Sequence, residues 1–355
     1  MNELIYTWTL PNLGQEPSDP NREVQRLMIN ELMAFFFGLA ATFLSMPVII
    51  QKMRKKRIVG VDVHKRDRTV VPEMGGIAVL IGLTVSVSAA ILLLPEKASL
   101  LVSFLATTLI AGLIGARDDL KPLNAKLKPF LTALASVPIL LMPTYYPRPV
   151  FPIVGRTRLT IVYPLIIPFA IAVPSNAVNM MDPFNGTMSG TCTIITLVLL
   201  ASSLLLRSND ALMLCMCLLG PVLVLYYYNR YPAKVFSGDV GSLSIGAALG
   251  AIAVLGQLEV VTIVAFMPQI MNAFYGLATI GRLYERREVP RPITILDDGR
   301  LAASTDPKAP ITLARVILAR GPLQEYEAAR IFIILSAIAG VLAILTAQLI
   351  VMTPP

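Results

Sequence analysis

Asn176-Ala177-Val178-Asn179-Met180-Met181-Asp182-Pro183-Phe184-Asn185-Gly186 lies between two long apolar runs, Ile161 to Val173 and Cys192 to Leu206. The runs read as membrane spans and the stretch between them as their connection at the bilayer edge. A charge at the centre of a span costs about 2.5–3.5 kcal/mol, so polar side chains at such an edge are functional candidates. Asn176 and Asn179 are three apart and share one face of a helix end. Pro183 and Gly186 then stop the helix and put Asp182 and Asn185 on a tight loop. Oxygen donors without thiol or imidazole suit a hard cation such as Mg²⁺. By itself the stretch reads equally well as a polar turn between spans.

The rest of the chain has the composition of an integral membrane protein. Of 355 residues, 55% are hydrophobic and 15% charged, with mean hydropathy +0.69; soluble domains carry about 25% charge. Spans are expected at about 29–50, 75–94, 99–116, 128–143, 161–178, 187–206, 210–228, 243–257, 259–281 and 331–352. That makes an all-α protein of about ten transmembrane helices, one polytopic domain over 29–355. Before it comes a short polar tail, 1–28, without the order of a cleavable signal peptide. Neither an internal repeat nor a separate soluble domain is evident. Cys192, Cys215 and Cys217 all fall in apolar runs and read as core residues. His64 is the only histidine, which excludes a multi-histidine metal site or a histidine relay.

Charge placement gives the orientation. Of the 30 Lys and Arg, 23 lie in the connections after odd-numbered spans and seven on the other side. The positive-inside rule then puts those connections, with the long loop 282–330, in the cytoplasm and both termini outside. The expected home is the plasma membrane of a prokaryote or the endoplasmic reticulum of a eukaryote. Four more polar clusters fall on the face of the opening stretch: Asp62 to Glu73, Asp118-Asp119 to Lys126, Gly238-Asp239 to Ser242, and Arg282 to Arg291. Each has a plainer reading alone; Lys52 to Arg57 would anchor to headgroups, and Asp239 would cap a helix. Five clusters at one depth on one face argue for a single shared site, facing the cytoplasm.

Adjacent Asp118 and Asp119 repel, so one is protonated or a cation is near. A Mg²⁺ held by Asn179 and Asp239, or Mn²⁺ in its place, fits phosphoryl transfer. Gly238 and Gly241 would let backbone amides approach a phosphate. Lys126, Arg286, Arg287 and Arg291 supply the cations that two anionic substrates require. Nothing in the charge pattern calls for nucleic acid.

Three ordered motifs now carry a resemblance: Asp118-Asp119, Asn176-x-x-Asn179 with Asn185-Gly186, and Phe236-x-Gly238-Asp239-x-Gly241-Ser242. Together they resemble the signatures of the polyprenyl-phosphate N-acetylhexosamine-1-phosphate transferases, over nearly the whole chain from Met28. Gly60-x-Asp62-x-x-Lys65 with Pro72-Glu73, the Asn185-Gly186 pair, and Arg286-Arg287-Glu288-Val289-Pro290-Arg291 are similar to the archaeal and eukaryotic dolichyl branch. The histidine-rich motif of the bacterial branch is missing from the last loop. Asp182, Thr187-Met188-Ser189, Arg287 and Glu288 depart from the dolichyl pattern.

The resemblance implies roles. Asn179 and Asp239 would ligate Mg²⁺. Asp118, Asp119 and Asp239 would be catalytic, with Asp119 the more direct participant of the first pair. Lys126, Asn176 and Asn179, with the backbone of 172–180, would hold the polyprenyl phosphate. Val61, Asp62, Val63, Glu73, Asn185, Arg286, Arg287 and Glu288 would bind UDP-GlcNAc. The implied reaction moves GlcNAc-1-phosphate from UDP-GlcNAc to a dolichyl-type phosphate, releases UMP and begins lipid-linked oligosaccharide synthesis for protein N-glycosylation. A homodimer is left open. The rivals are a bacterial-type undecaprenyl-phosphate transferase, a transporter or lipid flippase, and a non-catalytic scaffold. A transporter should carry midplane charges and repeated halves, whereas here the carboxylates gather at one interface.

Overall fold

The computed structural model describes residues 20–65, 68–142, 144–283 and 288–353, with side chains from Ile29 onward. The chain runs α1 (Pro20–Lys55), β1 (Val59–Val61), β2 (Val70–Pro72), α2 (Gly76–Leu93), α3 (Ala98–Leu120), α4 (Leu127–Leu134) and α5 (Val137–Leu141). It continues through β3 (Val150–Phe151), β4 (Gly155–Arg156), α6 (Val162–Met180), α7 (Thr187–Leu205), α8 (Asn209–Asn229) and α9 (Gly238–Leu255). Then come α10 (Glu259–Ala265), α11 (Met267–Ile280), β5 (Ile293–Ile295), β6 (Leu301–Ala303), α12 (Leu313–Leu318) and α13 (Glu325–Met352). The strands form three two-stranded antiparallel ladders, β1–β2, β3–β4 and β5–β6.

Among the described residues, eight helices are long and apolar enough to cross a membrane: α1 from Ile29, α2, α3, α6, α7, α8, α9 and α13. The expected span at 259–281 is the pair α10 and α11, bent by 64° where Pro268 opens α11. The one expected at 128–143 is two short helices, with Pro138 at the start of the second. α1 begins at Pro20, inside the stretch expected as a tail; residues 1–19 of that tail lie outside the described residues.

α9 is the axis of the bundle, buried without a break from Val240 to Leu255. Lipid tails are as apolar as leucine, so helices associate there through close packing rather than exclusion of water. Glycines on α9 make that packing against α6 possible. A Cβ on Gly246 would lie 2.5 Å from Ser175 Cα, and one on Gly250 only 2.2 Å from the Ala170 carbonyl oxygen. Large apolar side chains point the other way: Leu44, Leu92, Leu113 and Phe169 are exposed, as lipid-facing residues are.

This packing gathers particular ends. α3 and α6 finish where α9 begins. The segment before α9 pairs with β2 and its exit: Phe236 N–H donates to the Pro72 carbonyl at 2.8 Å, and Gly75 N–H to the Phe236 carbonyl at 2.9 Å. The starts of α4, α7 and α13 close the same end. The five polar clusters read from the sequence therefore belong to one face, except that residues 66–67 and 284–287 lie outside the described residues.

Candidate active site

The centre is a cation surrounded by three oxygens from three helices. Lys128 Nζ donates to Asp118 Oδ2 at 2.8 Å, to Asn179 Oδ1 at 3.1 Å and to Asp239 Oδ2. Asn179 Nδ2 in turn donates to Asp239 Oδ1 at 2.6 Å and to Ser242 Oγ at 2.8 Å. Asp118 Oδ1 also accepts the Leu123 N–H, which folds the 121–126 loop back toward the site. Asn179 and Asp239, expected as partners on one ion, are thus in direct contact.

Asp119 has a different task from its neighbour. Its Oδ1 accepts the Asp239 N–H at 2.7 Å and its Oδ2 the Val240 N–H at 3.0 Å. These are first-turn amides of α9, which have no partner within their own helix. A carboxylate at a helix N-terminus is also favoured by the helix dipole. Gly238 makes the approach possible. It sits at φ +67°, and a Cβ there would come within 2.6 Å of Asp119 Oδ2. Asp119 is expected as the more direct participant; in the structure Asp118 joins the Lys128 cluster, while Asp119 bonds the start of the helix that presents Asp239.

Around this centre the other expected residues take separate places. Asn176 Nδ2 bonds Thr132 Oγ1 and the Ala172 carbonyl, both at 2.8 Å, and so ties α6 to α4 rather than facing the cluster. Lys126 is exposed and, with Asn124, Leu127 and Phe130, lines a shallow groove on the flank of α4. Asp182 Oδ2 accepts from Ser237 Oγ at 3.0 Å, linking the opening stretch to the α8–α9 connection. Glu73 approaches Gly60; burial, reinforced by the Asp239 charge, holds its carboxyl above the ordinary glutamate range.

On the side of the first hairpin, Asn185 is buried and donates from Nδ2 to Asp62 Oδ2 at 3.0 Å. Its N–H donates to Glu325 Oε1 at 2.9 Å, and Asp62 pairs with Lys65 at 3.0 Å. Val61 and Val63 border a cavity of about 470 Å³ with Lys65, Arg68, Arg291, Ile295, Leu296 and Asp297. Glu288 pairs with Arg282 at 2.9 Å. Arg286 and Arg287 lie outside the described residues.

Three members were missed from the sequence. Lys128 stands only two residues from Lys126, at the head of an apolar segment where a charge demands a reason. Ser242 closes the Phe236-x-Gly238-Asp239-x-Gly241-Ser242 motif, and its contact with Asn179 comes only from the fold. Glu325 opens the last span and carries no local signature beyond being an acid there.

Comparison with known proteins follows the same residues. Positions 101–257 match glycosyl transferase family 4, a range holding Asp118, Lys128, Asn179, Asn185 and Asp239. A phospho-N-acetylmuramoyl-pentapeptide-transferase of Streptococcus uberis is 31% identical over 250 residues, 65% of this chain and 75% of that protein. The chain belongs to glycosyl transferase family 4. A second relative, from Saccharolobus solfataricus, is provisionally named UDP-N-acetylglucosamine–dolichyl-phosphate N-acetylglucosaminephosphotransferase. It is 27% identical over 323 residues, 90% of this chain and 96% of that protein. A Methanocaldococcus jannaschii protein, provisionally named a glycosyltransferase, is 29% identical over 306 residues, 85% of this chain and 93% of that one. As a member of glycosyl transferase family 4 with eight membrane-length helices among its described residues, the chain is a membrane-embedded transferase.

Proposed function

We propose that this family 4 member transfers GlcNAc-1-phosphate from UDP-GlcNAc to a dolichyl-type polyprenyl phosphate, releasing UMP, from the cytoplasmic face of the membrane. One observation carries the reading: Asp118, Lys128, Asn179 and Asp239 converge at one bundle end, from helices widely separated in the chain. The Saccharolobus relative's name, over 90% of this chain, supports UDP-GlcNAc and dolichyl phosphate as the substrates.

The donor set fits Mg²⁺. The Lys128 ammonium stands among three side-chain oxygens, the donors a hard cation prefers. Asn179 Oδ1 and the Asp239 carboxylate would hold the ion, which when bound screens the pyrophosphate oxygens and the charge developing on the leaving UMP. Lys128 is then freed to pair with phosphate oxygens, and Asp118 to keep its ammonium aimed at them. Asp119 holds α9 in register, so Asp239 does not have to reorganise during reaction. The attacking lipid phosphate is largely ionised at neutral pH, its second pKa being about 6, so a strong base is unnecessary.

The exposed groove of Lys126, Leu127 and Phe130 is suited to the lipid phosphate and its first isoprene units. The cationic cavity of Lys65, Arg68 and Arg291 is suited to the sugar nucleotide. The same reading takes ten crossings, two of them broken spans beside the eight membrane-length helices among the described residues. Ser103, early in α3, meets Thr144 at 3.1 Å, while Asp118, late in α3, meets Lys128 at 2.8 Å. α4 and α5 therefore return about 22 Å along α3, at about 1.5 Å per residue, and act as a broken span. The bent α10–α11 pair returns the chain from the end of α9 in the same way.

The test is release of UMP by purified protein given Mg²⁺, polyprenyl phosphate and a panel of UDP-sugars. UDP-GlcNAc with a dolichyl acceptor should be turned over fastest, and Asp239→Asn should abolish turnover while the protein stays folded. Preference for an undecaprenyl acceptor and a muramoyl-peptide nucleotide would move the assignment toward the Streptococcus relative's named reaction. No turnover with any sugar would overturn it.

A further inference from the structure

On the sugar-nucleotide side of the site lies a group of ligands that shares no residue with the Lys128 centre. Asp62, His64 and Glu325 each offer one ligand atom, and all three atoms lie within 4.8 Å of one another. Asp62 is 2% exposed and Glu325 5%. One Glu325 oxygen accepts the Asn185 N–H, but the other, Oε2, is buried with no hydrogen-bond partner among the described residues. An unsatisfied buried acceptor is costly, and more so when charged. Buried charges are normally paired or bound to metal. Glu325 stands at the first turn of α13, where the helix dipole offsets part of that cost but supplies no partner for Oε2.

We propose that Asp62, His64 and Glu325 bind a divalent transition-metal ion of the Mn²⁺, Fe²⁺ or Zn²⁺ class. An imidazole with two carboxylates suits these ions, whereas Mg²⁺ favours oxygen alone. Ligand atoms around tetrahedral Zn²⁺ are roughly 3.3 Å apart, so the three need close by only about 1.5 Å. The supports for such a site are in place. Asn185 Nδ2 holds Asp62 Oδ2, and the His64 ring rests against Phe184 with centroids 5.3 Å apart. Lys65 supplies the balancing charge in the absence of an ion. It pairs with Asp62 and lies 5.2 Å over the Tyr231 ring, a second resting place when an ion displaces it. The ion would join residues 62–64 to the start of α13 and share no ligand with Asn179 and Asp239.

The chain has a single histidine, which makes the test unusually specific. Full-length protein carrying a tag without histidine, stripped with chelator and kept in imidazole-free buffer, is loaded with Mn²⁺ and read by pulsed EPR. Any imidazole-nitrogen coupling to the ion then identifies His64. We expect that coupling in the wild type and in Asp239→Asn, and its loss in His64→Ala together with one bound equivalent. Glu325→Gln should weaken the same equivalent about tenfold or more. His64 is only partly buried, so His64→Ala serves even if the Glu325 variant does not fold. Saturating Mn²⁺ without nitrogen coupling, or unchanged stoichiometry in His64→Ala, overturns the proposal. Neither readout depends on UMP release, so the proposed transfer reaction and this site can fail separately.

Discussion

Lys128 and Lys126 are two residues apart and have unlike surroundings. Lys128 is enclosed by two carboxylates and an amide oxygen, and Lys126 is exposed on the groove beside them. Lys128→Gln should lower the transfer rate about 100-fold or more, the scale of losing one preorganised electrostatic group. Lys126→Gln should chiefly raise the KM for the lipid phosphate. Equal effects of both on kcat would refute the division of labour. Gly238→Ala probes Asp119. With φ at +67° and a Cβ 2.6 Å from Asp119 Oδ2, the variant should lose about 1–3 kcal/mol of stability, read by thermal unfolding in detergent, and most activity with it. Much of this site was legible in the sequence. Asp118, Asn179 and Asp239 stand out because charge and amide at the edge of apolar runs are costly enough to need a reason. The capping role of Asp119 was not legible, because its partners are the amides of Asp239 and Val240, and only the folded chain brings them to it.

At the scale of elements, hydropathy placed the spans well because length and apolarity alone decide whether a segment can cross. The breaks were less visible. Pro138 and Pro268 mark them, yet prolines inside α6 and α8 leave those helices continuous, so the residue type alone does not tell a kink from a break. Close packing of α9 is the feature most open to test. Gly250→Leu forces a side chain against the Ala170 carbonyl and should cost about 1–3 kcal/mol, as overpacking does. It should also lower activity by parting Asn179 on α6 from Asp239 on α9. Leu345→Ala, on the exposed face of α13, should do neither. A normal melting temperature and full activity in Gly250→Leu would show that the contact does not set the site.

For the whole molecule, sidedness rests on the count of basic residues, and it can be read chemically. The three native cysteines are buried, so they offer little background to a membrane-impermeant thiol reagent. Lys121→Cys, at the site end of α3, should label only after the membrane is permeabilised. Arg158→Cys, before α6 at the opposite end, should label in intact cells. The reverse pattern would turn the molecule over and move the sugar nucleotide to the wrong compartment.

The groove of Leu127 and Phe130 has one more implication. An acceptor that slides in along the flank of α4 is met by collisions within a sheet, whereas the nucleotide arrives from bulk solution. Adding inert phospholipid or detergent at fixed acceptor amount should therefore slow the reaction by surface dilution, with no change in the dependence on nucleotide. The velocity would follow the acceptor's mole fraction, not its molarity.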